Sequence, residues 1–328
     1  MKTKTTWVVL AALLLSTGMW AQNVAKVAKT ADGTLVGEYA TMATALAAWT
    51  DGTTLTMLSN ATYDATATDT IKGTRTLDLN GKTLTWNTSF GEASQAGVLS
   101  AIDVEGELTI KASAADDATQ NGSLVLNVSH DKSTNLCAMS VGFVSNIAKL
   151  SATDGVHIVG NFATAPTYTK YDANNVPTKQ TLLTSSVIFP VNGAMDIENA
   201  DIRMQGECGI ALNIPATSGD IVCANNTITY EAGTPTVCVG NFYGINATKA
   251  GIVLDNNKVD LSAVNGTVIN SNNGKTVAPN IYALKIAKTN ISIKGSESLY
   301  KVDATGTNNY SVYGGTSYVL SIEDGVFM

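Results

Sequence analysis

The sequence predicts an all-β solenoid, specifically a single-stranded right-handed parallel β-helix with a short N-terminal capping helix. One phrase occurs twice, as Leu-Ser-Ala-Thr-Asp-Gly-Val-His-Ile at 150–158 and as Leu-Ser-Ile-Glu-Asp-Gly-Val-Phe-Met at 320–328. Weaker copies of its first strand start at 77, 102, 195, 221, 252 and 291. Units that recur every few tens of residues are typical of solenoids, because each unit buries its apolar face on its neighbours.

The chain begins with the features of a cleaved signal peptide at 1–21. Lys2 and Lys4 precede an apolar core at 7–15, and small residues follow at 16–21. This core is too short for a bilayer, which requires roughly 20 apolar residues. We therefore expect an exported protein that is secreted, periplasmic or on the outer surface. Its solenoid should occupy 22–328 and contain no transmembrane segment.

Residues 39–49 have the pattern of a short amphipathic helix. Met42, Leu46 and Trp49 follow the spacing of one helix face. Asp51-Gly52 then ends the helix, and a strand pattern starts at Thr54. Because the open end of a strand stack exposes unpaired backbone groups, we interpret this helix as the N-terminal cap.

The spacing of a second strand distinguishes two kinds of corner in each coil. This strand begins at Ile210, Tyr243, Tyr282 and Tyr310, nine to eleven residues before the next copy of the repeat. The return distance varies from 15 to 30 residues. The connection at one corner is therefore nearly constant in length, whereas the connection at another corner accepts insertions. We place these insertions at 159–186, 231–241 and 263–279.

Two kinds of column follow from stacking the coils in register. Alternation within each strand points every second residue inward, so three pairs should form aliphatic columns: Ile221/Cys223, Ile252/Leu254 and Ile291/Ile293. Between the half-strands lie Asn199, Asn225 and Asn256, with Asn80 at a comparable place. Asparagine tolerates the left-handed conformation of a sharp turn, and its amide can stack on the next coil. We therefore expect a structural ladder of turns.

Composition narrows the classes of partner. The formal charge of −7 argues against a nucleic-acid partner, which would require a basic stripe. Arginine occurs only at Arg75 and Arg203. The cysteines are Cys137, Cys208, Cys223 and Cys238, and none lies in a Cys-x-x-Cys pair. We favour buried free thiols, although an exported protein also permits a disulfide.

The N-terminal third resembles a known family. Tyr39-Ala-Thr-Met-Ala-Thr-Ala-Leu, Asp51-Gly-Thr-Thr-Leu-Thr-Met-Leu and Leu77-Asp-Leu-Asn-Gly-Lys-Thr-Leu are similar to the opening of pectin-lyase-like right-handed β-helix proteins of the secreted, adhesin-like type. The signal peptide, which ends Trp-Ala-Gln, resembles those of Bacteroidetes-type bacteria. The resemblance implies the fold but not one activity, because this coil is shared by polysaccharide lyases, glycoside hydrolases, phage tailspikes and non-catalytic adhesins.

No catalytic pattern of those enzymes is evident in the sequence. Asp116-Asp117 is the only adjacent carboxylate pair and lies in a polar stretch, and neither His130 nor His157 has a Gly-His-Gly context. His157 is interpreted as a structural side chain in a strand, and Arg203 follows Ile202 without an acid-rich neighbourhood.

Two other columns are interpreted as structural. The first column aligns Glu198, Ala224 and Asp255 on successive coils, and the column beside it aligns Asp201, Thr227 and Lys258. We interpret the charged residues of both columns as solvated surface charges and not as a paired-carboxylate site. Tyr243, Tyr282 and Tyr310 favour a buried aromatic stack over an exposed sugar-binding platform.

We expect function to lie in the insertions, because loops on one face of a solenoid commonly carry it. Tyr168, Tyr171 and Asp172 are the candidate binding residues, suited to carbohydrate stacking, with a flexible polar loop as the alternative. The expected function is non-catalytic adhesion or binding of a glycan or of a host or neighbour-cell surface protein, without cofactor or metal. The alternative is a divergent polysaccharide lyase or glycoside hydrolase. The last coil, 320–328, has no cap in sequence, and we expect either end-on self-association or fraying of about the last ten residues.

Overall fold

The computed structural model describes most of the chain from residue 22 onward. The described residues are 22–90, 98–113, 121–130, 135–153, 155–163, 167–171, 177–182, 184–231, 241–264, 268–270, 275–277, 280–287, 289–302, 317–323 and 326–327. The predicted signal peptide therefore lies outside them.

The described residues form strands and one helix, α1 (Met42–Ala48). In chain order the strands are β1 (Ala25–Lys29), β2 (Leu35–Tyr39), β3 (Thr53–Met57), β4 (Ala61–Ala65), β5 (Asp69–Ile71), β6 (Thr74–Asp78), β7 (Thr83–Ser89), β8 (Val98–Val104), β9 (Glu107–Lys111), β10 (Gly122–Ser129), β11 (Asn135–Val141), β12 (Lys149–Ala152), β13 (Val156–Phe162), β14 (Thr167–Tyr171), β15 (Pro177–Leu182), β16 (Ser185–Phe189), β17 (Ala194–Glu198), β18 (Asp201–Gly206), β19 (Ile210–Ile214), β20 (Ile221–Ala224), β21 (Thr227–Tyr230), β22 (Asn241–Ala247), β23 (Ile252–Asp255), β24 (Lys258–Asp260), β25 (Val268–Asn270), β26 (Lys275–Val277), β27 (Asn280–Ala287), β28 (Asn290–Lys294), β29 (Leu299–Lys301), β30 (Ser317–Glu323) and β31 (Val326–Phe327).

Three large sheets contain all but four of these strands. Sheet A has the order β2-β1-β3-β6-β9-β12-β17-β20-β23-β28-β31, sheet B β29-β24-β21-β18-β13-β10-β7-β4, and sheet C β30-β27-β22-β19-β16-β11-β8-β5. From β3 onward the chain visits A, B and C in strict rotation, and strands within each sheet pair in parallel. The all-β prediction is confirmed, and the arrangement is compatible with a parallel β-helix.

The insertions lie at the corner from sheet B to sheet C. Two antiparallel hairpins, β14–β15 and β25–β26, interrupt this connection. The predicted insertion at 159–186 is too wide at both ends, because 159–162 complete β13 and 185–186 open β16. The insertion predicted at 263–279 contains the second hairpin, whereas most of the one at 231–241 lies outside the described residues.

The repeated phrase is not a repeat in register. Leu150 lies in β12 of sheet A, whereas Leu320 lies in β30 of sheet C. Ile102 also belongs to sheet C, and Leu108 is the residue that pairs with Leu150. A strand that is followed by Asp-Gly has the same local sequence pattern at any corner of the coil. Similarity between two such segments therefore does not show that they belong to the same sheet.

The end of sheet A beside β3 is covered. Strands β1 and β2 add to β3 in antiparallel orientation, and α1 packs against β1, β2 and β4. Thr41 caps the helix, its hydroxyl accepting from the Thr44 amide at 3.3 Å. The helix starts at Met42 instead of the predicted residue 39, because Tyr39 is the last residue of β2.

The buried faces of the three sheets share one hydrophobic cluster. Cys223 and Leu254 are direct neighbours in sheet A, and Leu254 is in turn beside Ile293. Leu254 is completely buried, and Ile252 and Ile291 are nearly so. The predicted aliphatic columns are therefore confirmed for these positions.

At the turns from sheet A to sheet B, one asparagine adopts the left-handed conformation of the turn, and in two of the turns the next asparagine places its amide in the interior. Asn80, Asn199, Asn225 and Asn256 have positive φ angles of 48° to 55°, as a left-handed turn requires. The following residues Asn226 and Asn257 are completely buried, and Asn226 Nδ2 donates to Asn257 Oδ1 at 3.1 Å. The predicted left-handed turns are confirmed, but the stacked buried amides belong to the next position.

Three of the cysteines are buried free thiols, namely Cys137, Cys208 and Cys223. Burial raises the pKa of all three, that of Cys223 to about 12, so the reactive thiolate is disfavoured. Cys238 lies outside the described residues.

No helix in the described part of the chain is long and apolar enough to cross a membrane.

Candidate functional site

The outer face of sheet B carries a continuous line of polar side chains. Asp64, Asn87, Asn127 and Asn161 occupy equivalent positions on β4, β7, β10 and β13. Asn87 Nδ2 donates to Asp64 Oδ1 at 2.7 Å, Asn127 Nδ2 to Asn87 Oδ1 at 2.7 Å, and Asn161 Nδ2 to Asn127 Oδ1 at 2.9 Å. We call these four residues the outer amide ladder.

The pleat of the strands positions this ladder. Each asparagine directly follows a core residue (Trp86, Leu126 or Gly160), so the asparagine side chain points away from the core. Parallel pairing in register then places successive amides one strand apart, within hydrogen-bonding reach. A ladder of this kind aligns the amides and leaves the second N–H of each amide able to bind another group.

A groove of about 380 Å³ runs beside the ladder. It crosses the carboxyl ends of β4, β7, β10 and β13, next to the corner that leads to sheet C. Besides the ladder, its lining includes apolar groups and hydroxyls, contributed by Ala65, Thr66, Thr88, Ser89, Val128, Ser129 and Ala163. A groove with a few aligned polar groups on a partly apolar lining is the usual form of a small-ligand site.

The line of polar residues continues beyond the groove, but the direction of hydrogen-bond donation reverses there. Gln205 pairs with Asn161 in the sheet, and its Nε2 donates away from the ladder to Glu231 Oε2. Asn161 Oδ1 and Gln205 Oε1 consequently receive no hydrogen bond from the described residues. The two amide oxygens are acceptors for a ligand that carries donors.

A charged cluster occupies the same face, nearer the start of the strands. Arg203 Nε donates to Asp201 Oδ2 at 2.9 Å, and His157 Nε2 lies 3.9 Å from that oxygen. The hydrogen bond to Asp201 raises the pKa of Arg203, so the guanidinium stays protonated. Arg203 therefore has the acidic neighbour that sequence reasoning did not find, and Asp201 is ion-paired instead of freely solvated.

His157 is held in its neutral form. Asn121 Nδ2 lies 2.9 Å from His157 Nε2, which makes that nitrogen the acceptor. Burial is the largest cause of a lowered pKa for His157; Arg203 lowers it further and Asp201 opposes the change.

Acidification is expected to destabilise the protein through His157. The unfolded chain binds this proton near pH 6.5, whereas the folded chain binds it only at lower pH. The contribution to the free energy of unfolding is therefore complete above about pH 6.5 and is lost as pH falls through the folded pKa. Urea unfolding of the wild type and His157→Gln at several pH values tests this. A wild-type pH dependence as shallow as that of the variant would contradict it.

The outer face of sheet C carries a tyrosine stack. The Tyr243 and Tyr282 rings are 5.0 Å apart and nearly parallel, and Lys285 Nζ lies 5.7 Å from the Tyr243 ring. Both rings are half-buried, so the predicted buried stack is wrong: the core position is taken by the preceding residue, Phe242 or Ile281. In the next strand Tyr318, not Tyr310, pairs with Tyr282.

A buried polar cluster lies on β8 and β11 of the same sheet. Ser140 Oγ donates to Asp103 Oδ1 at 2.7 Å and lies 2.9 Å from Ser100 Oγ. All three residues are at most 6% exposed, and burial raises the pKa of Asp103. Because these groups satisfy one another, we interpret the cluster as structural.

The candidate binding residues from the sequence belong to the insertion between β13 and β16. Tyr168 and Tyr171 lie in β14, where they pair with Thr181 and Pro177 of β15. Asp172 and Asp116-Asp117 lie outside the described residues. Among described residues, no three His, Cys, Asp or Glu side chains are grouped to hold a metal ion.

Sequence reasoning missed the outer amide ladder. Its signal is an asparagine at the fourth place of Leu-Thr-Trp-Asn, Leu-Val-Leu-Asn and Ile-Val-Gly-Asn, ending at Asn87, Asn127 and Asn161. These segments belong to the second strand of each coil, and the alignment of the first strands does not bring them into register.

Comparison with known proteins adds no relative. No protein-family model matches the chain, and no curated protein or solved structure matches it.

Proposed function

We propose that this chain is an exported, non-catalytic β-helix that binds a glycan in the groove beside the outer amide ladder. The observation that carries the proposal is the ladder itself. It aligns three amides along a groove of about 380 Å³ whose lining also contains hydroxyl and apolar groups. Aligned amides suit the hydroxyl-rich edge of a sugar, because each can donate and accept.

The proposal includes a right-handed winding of the coils. Parallel strands joined by a crossover are right-handed in about 98% of cases, and the rotation through sheets A, B and C consists of such crossovers. The pectin-lyase-like architecture and export through the 1–21 signal peptide belong to the same proposal, supported by the sequence patterns described above. Adhesion to a cell surface would follow where that surface carries the glycan.

A glycan array probed with residues 22–328 tests the proposed function. We expect binding to at least one polysaccharide class, competed by the soluble form of that polysaccharide. No binding to any glycan by the folded protein would overturn the proposal.

The rival function is a divergent lyase or hydrolase, favoured by the His157–Asp201–Arg203 cluster on the same face. Arg203 is a poor lyase base because its guanidinium is bonded to Asp201 and its pKa is raised. Product release from a bound polysaccharide, abolished by Asp201→Asn in a variant that still folds, would replace the non-catalytic proposal with the enzymatic one.

A further inference from the structure

The charges and hydrogen bonds around the groove indicate which class of glycan it takes, if the proposed function holds. We infer that the groove binds a neutral linear polysaccharide, lying along the outer amide ladder, and discriminates against acidic polysaccharides.

The cations in the described strands of sheet B are all paired with carboxylates. Among the described strands of sheet B the Lys and Arg residues are Arg203, Lys258 and Lys301. Arg203 is bonded to Asp201 at 2.9 Å, Lys258 Nζ to Glu297 at 3.2 Å, and Lys301 Nζ to Asp260 at 3.1 Å. Each cation of these described strands already has a carboxylate partner, so an acidic sugar that used one of them would have to displace that partner.

Negatively charged side chains lie at both ends of the polar line. Asp64 on β4 is the last residue of the polar line at one end, and Glu231 is the last residue at the other end. Both carboxylates are exposed. A polysaccharide with a carboxylate on each sugar would meet like charge at both ends. Like-charge contacts are an effective means of rejecting a wrong ligand.

The hydrogen-bonding groups along the ladder match the hydroxyl groups of a neutral sugar. The second N–H of each ladder amide and the oxygens of Asn161 and Gln205 offer donors and acceptors without net charge. Strands are about 4.8 Å apart, so an extended chain whose sugars advance by a similar length meets one amide per sugar. Ala163 is exposed beside the groove and offers an apolar contact for the C–H face of a ring.

Two soluble probes, a neutral linear β-glucan and polygalacturonate, test this with residues 22–328 in affinity electrophoresis and calorimetry. We expect binding of the neutral chain that changes little when the ionic strength is raised several-fold, because uncharged contacts are not screened. Preferential, salt-sensitive binding of polygalacturonate would overturn the inference while leaving glycan binding intact. Failure to bind any glycan would instead overturn the proposed function.

Matched variants locate the site. Asn127→Ala removes the central amide of the ladder and should weaken binding about tenfold or more, equivalent to about 1.4 kcal/mol. Asn246→Ala is the control, because Asn246 Nδ2 donates to Asn213 Oδ1 at 3.0 Å in the same way on sheet C, away from the groove. Equal affinity of the two variants for the neutral polysaccharide would show that it does not bind beside the outer amide ladder.

Asp64→Asn provides a test that does not depend on disrupting the ladder. The amide keeps an oxygen for the Asn87 donor and removes the exposed charge. We expect polygalacturonate binding to rise severalfold, whereas an unchanged preference would show that Asp64 does not exclude acidic chains.

Discussion

Leu254→Asp is expected to lower the free energy of unfolding by about 4 kcal/mol or more, near the upper limit for single substitutions. Leu254 is completely buried in sheet A, between Cys223 and Ile293 on the adjacent strands. Loss of a buried leucine accounts for roughly 1.5–3 kcal/mol, and burial of an unpaired carboxylate adds to this cost. Urea unfolding followed by circular dichroism measures the effect.

Val253→Asp is the matched control for this substitution. Val253 is the preceding residue of the same strand but is 38% exposed on the opposite face. The same charge there should cost less than about 1 kcal/mol, within the range of strand propensities. Equal unfolding midpoints for the two variants would mean that the buried and outer faces of β23 are exchanged.

Asn226→Ala is expected to cost about 3 kcal/mol despite removing only a small polar group. The Asn226 amide donates to Ile197 O at 2.8 Å and to Asn257 Oδ1 at 3.1 Å, and its oxygen accepts from the Ala200 amide at 3.0 Å. Alanine leaves these buried partners unsatisfied, at about 1–3 kcal/mol each before relaxation. Chemical unfolding again gives the free energy.

Asn225→Gly separates this effect from that of the turn. Asn225 has a φ of 55°, a conformation that glycine adopts without a Cβ penalty, so we expect a change below about 1 kcal/mol. A loss at Asn225→Gly as large as that at Asn226→Ala would show that the side chain of Asn225, and not only its backbone, stabilises the corner.

The strand pattern in the sequence correctly predicted the all-β class and much of the strand register of sheet A. The starts at Leu150, Met195, Ile221, Ile252 and Ile291 all lie in that sheet, and the strands that contain them are in register with one another. These predictions succeeded because apolar alternation and a left-handed asparagine are local signals, readable within about ten residues.

The errors at Leu320 and Tyr310, and the omission of the outer amide ladder, have a different origin. Which sheet a strand joins depends on how many corners precede it, and insertions alter that count without changing the local pattern. The groove requires side chains from four strands to meet, and neighbouring residues of the outer amide ladder are separated by 23 to 40 positions in sequence. Local pattern alone does not show that they are neighbours.

The covered end of sheet A has a consequence for the order in which the chain folds. The segment containing β1, β2, α1 and β3 is the first part of the described chain to be synthesised, and its strands pair with one another while α1 packs against β1 and β2. From β6 onward, each strand of sheet A pairs with the sheet A strand of the preceding coil, which is earlier in the chain. Assembly can therefore proceed vectorially from the amino-terminal end, each coil serving as a template for the next. A chain that emerges slowly through a pore would then never need to hold more than a coil or so of unpaired strand.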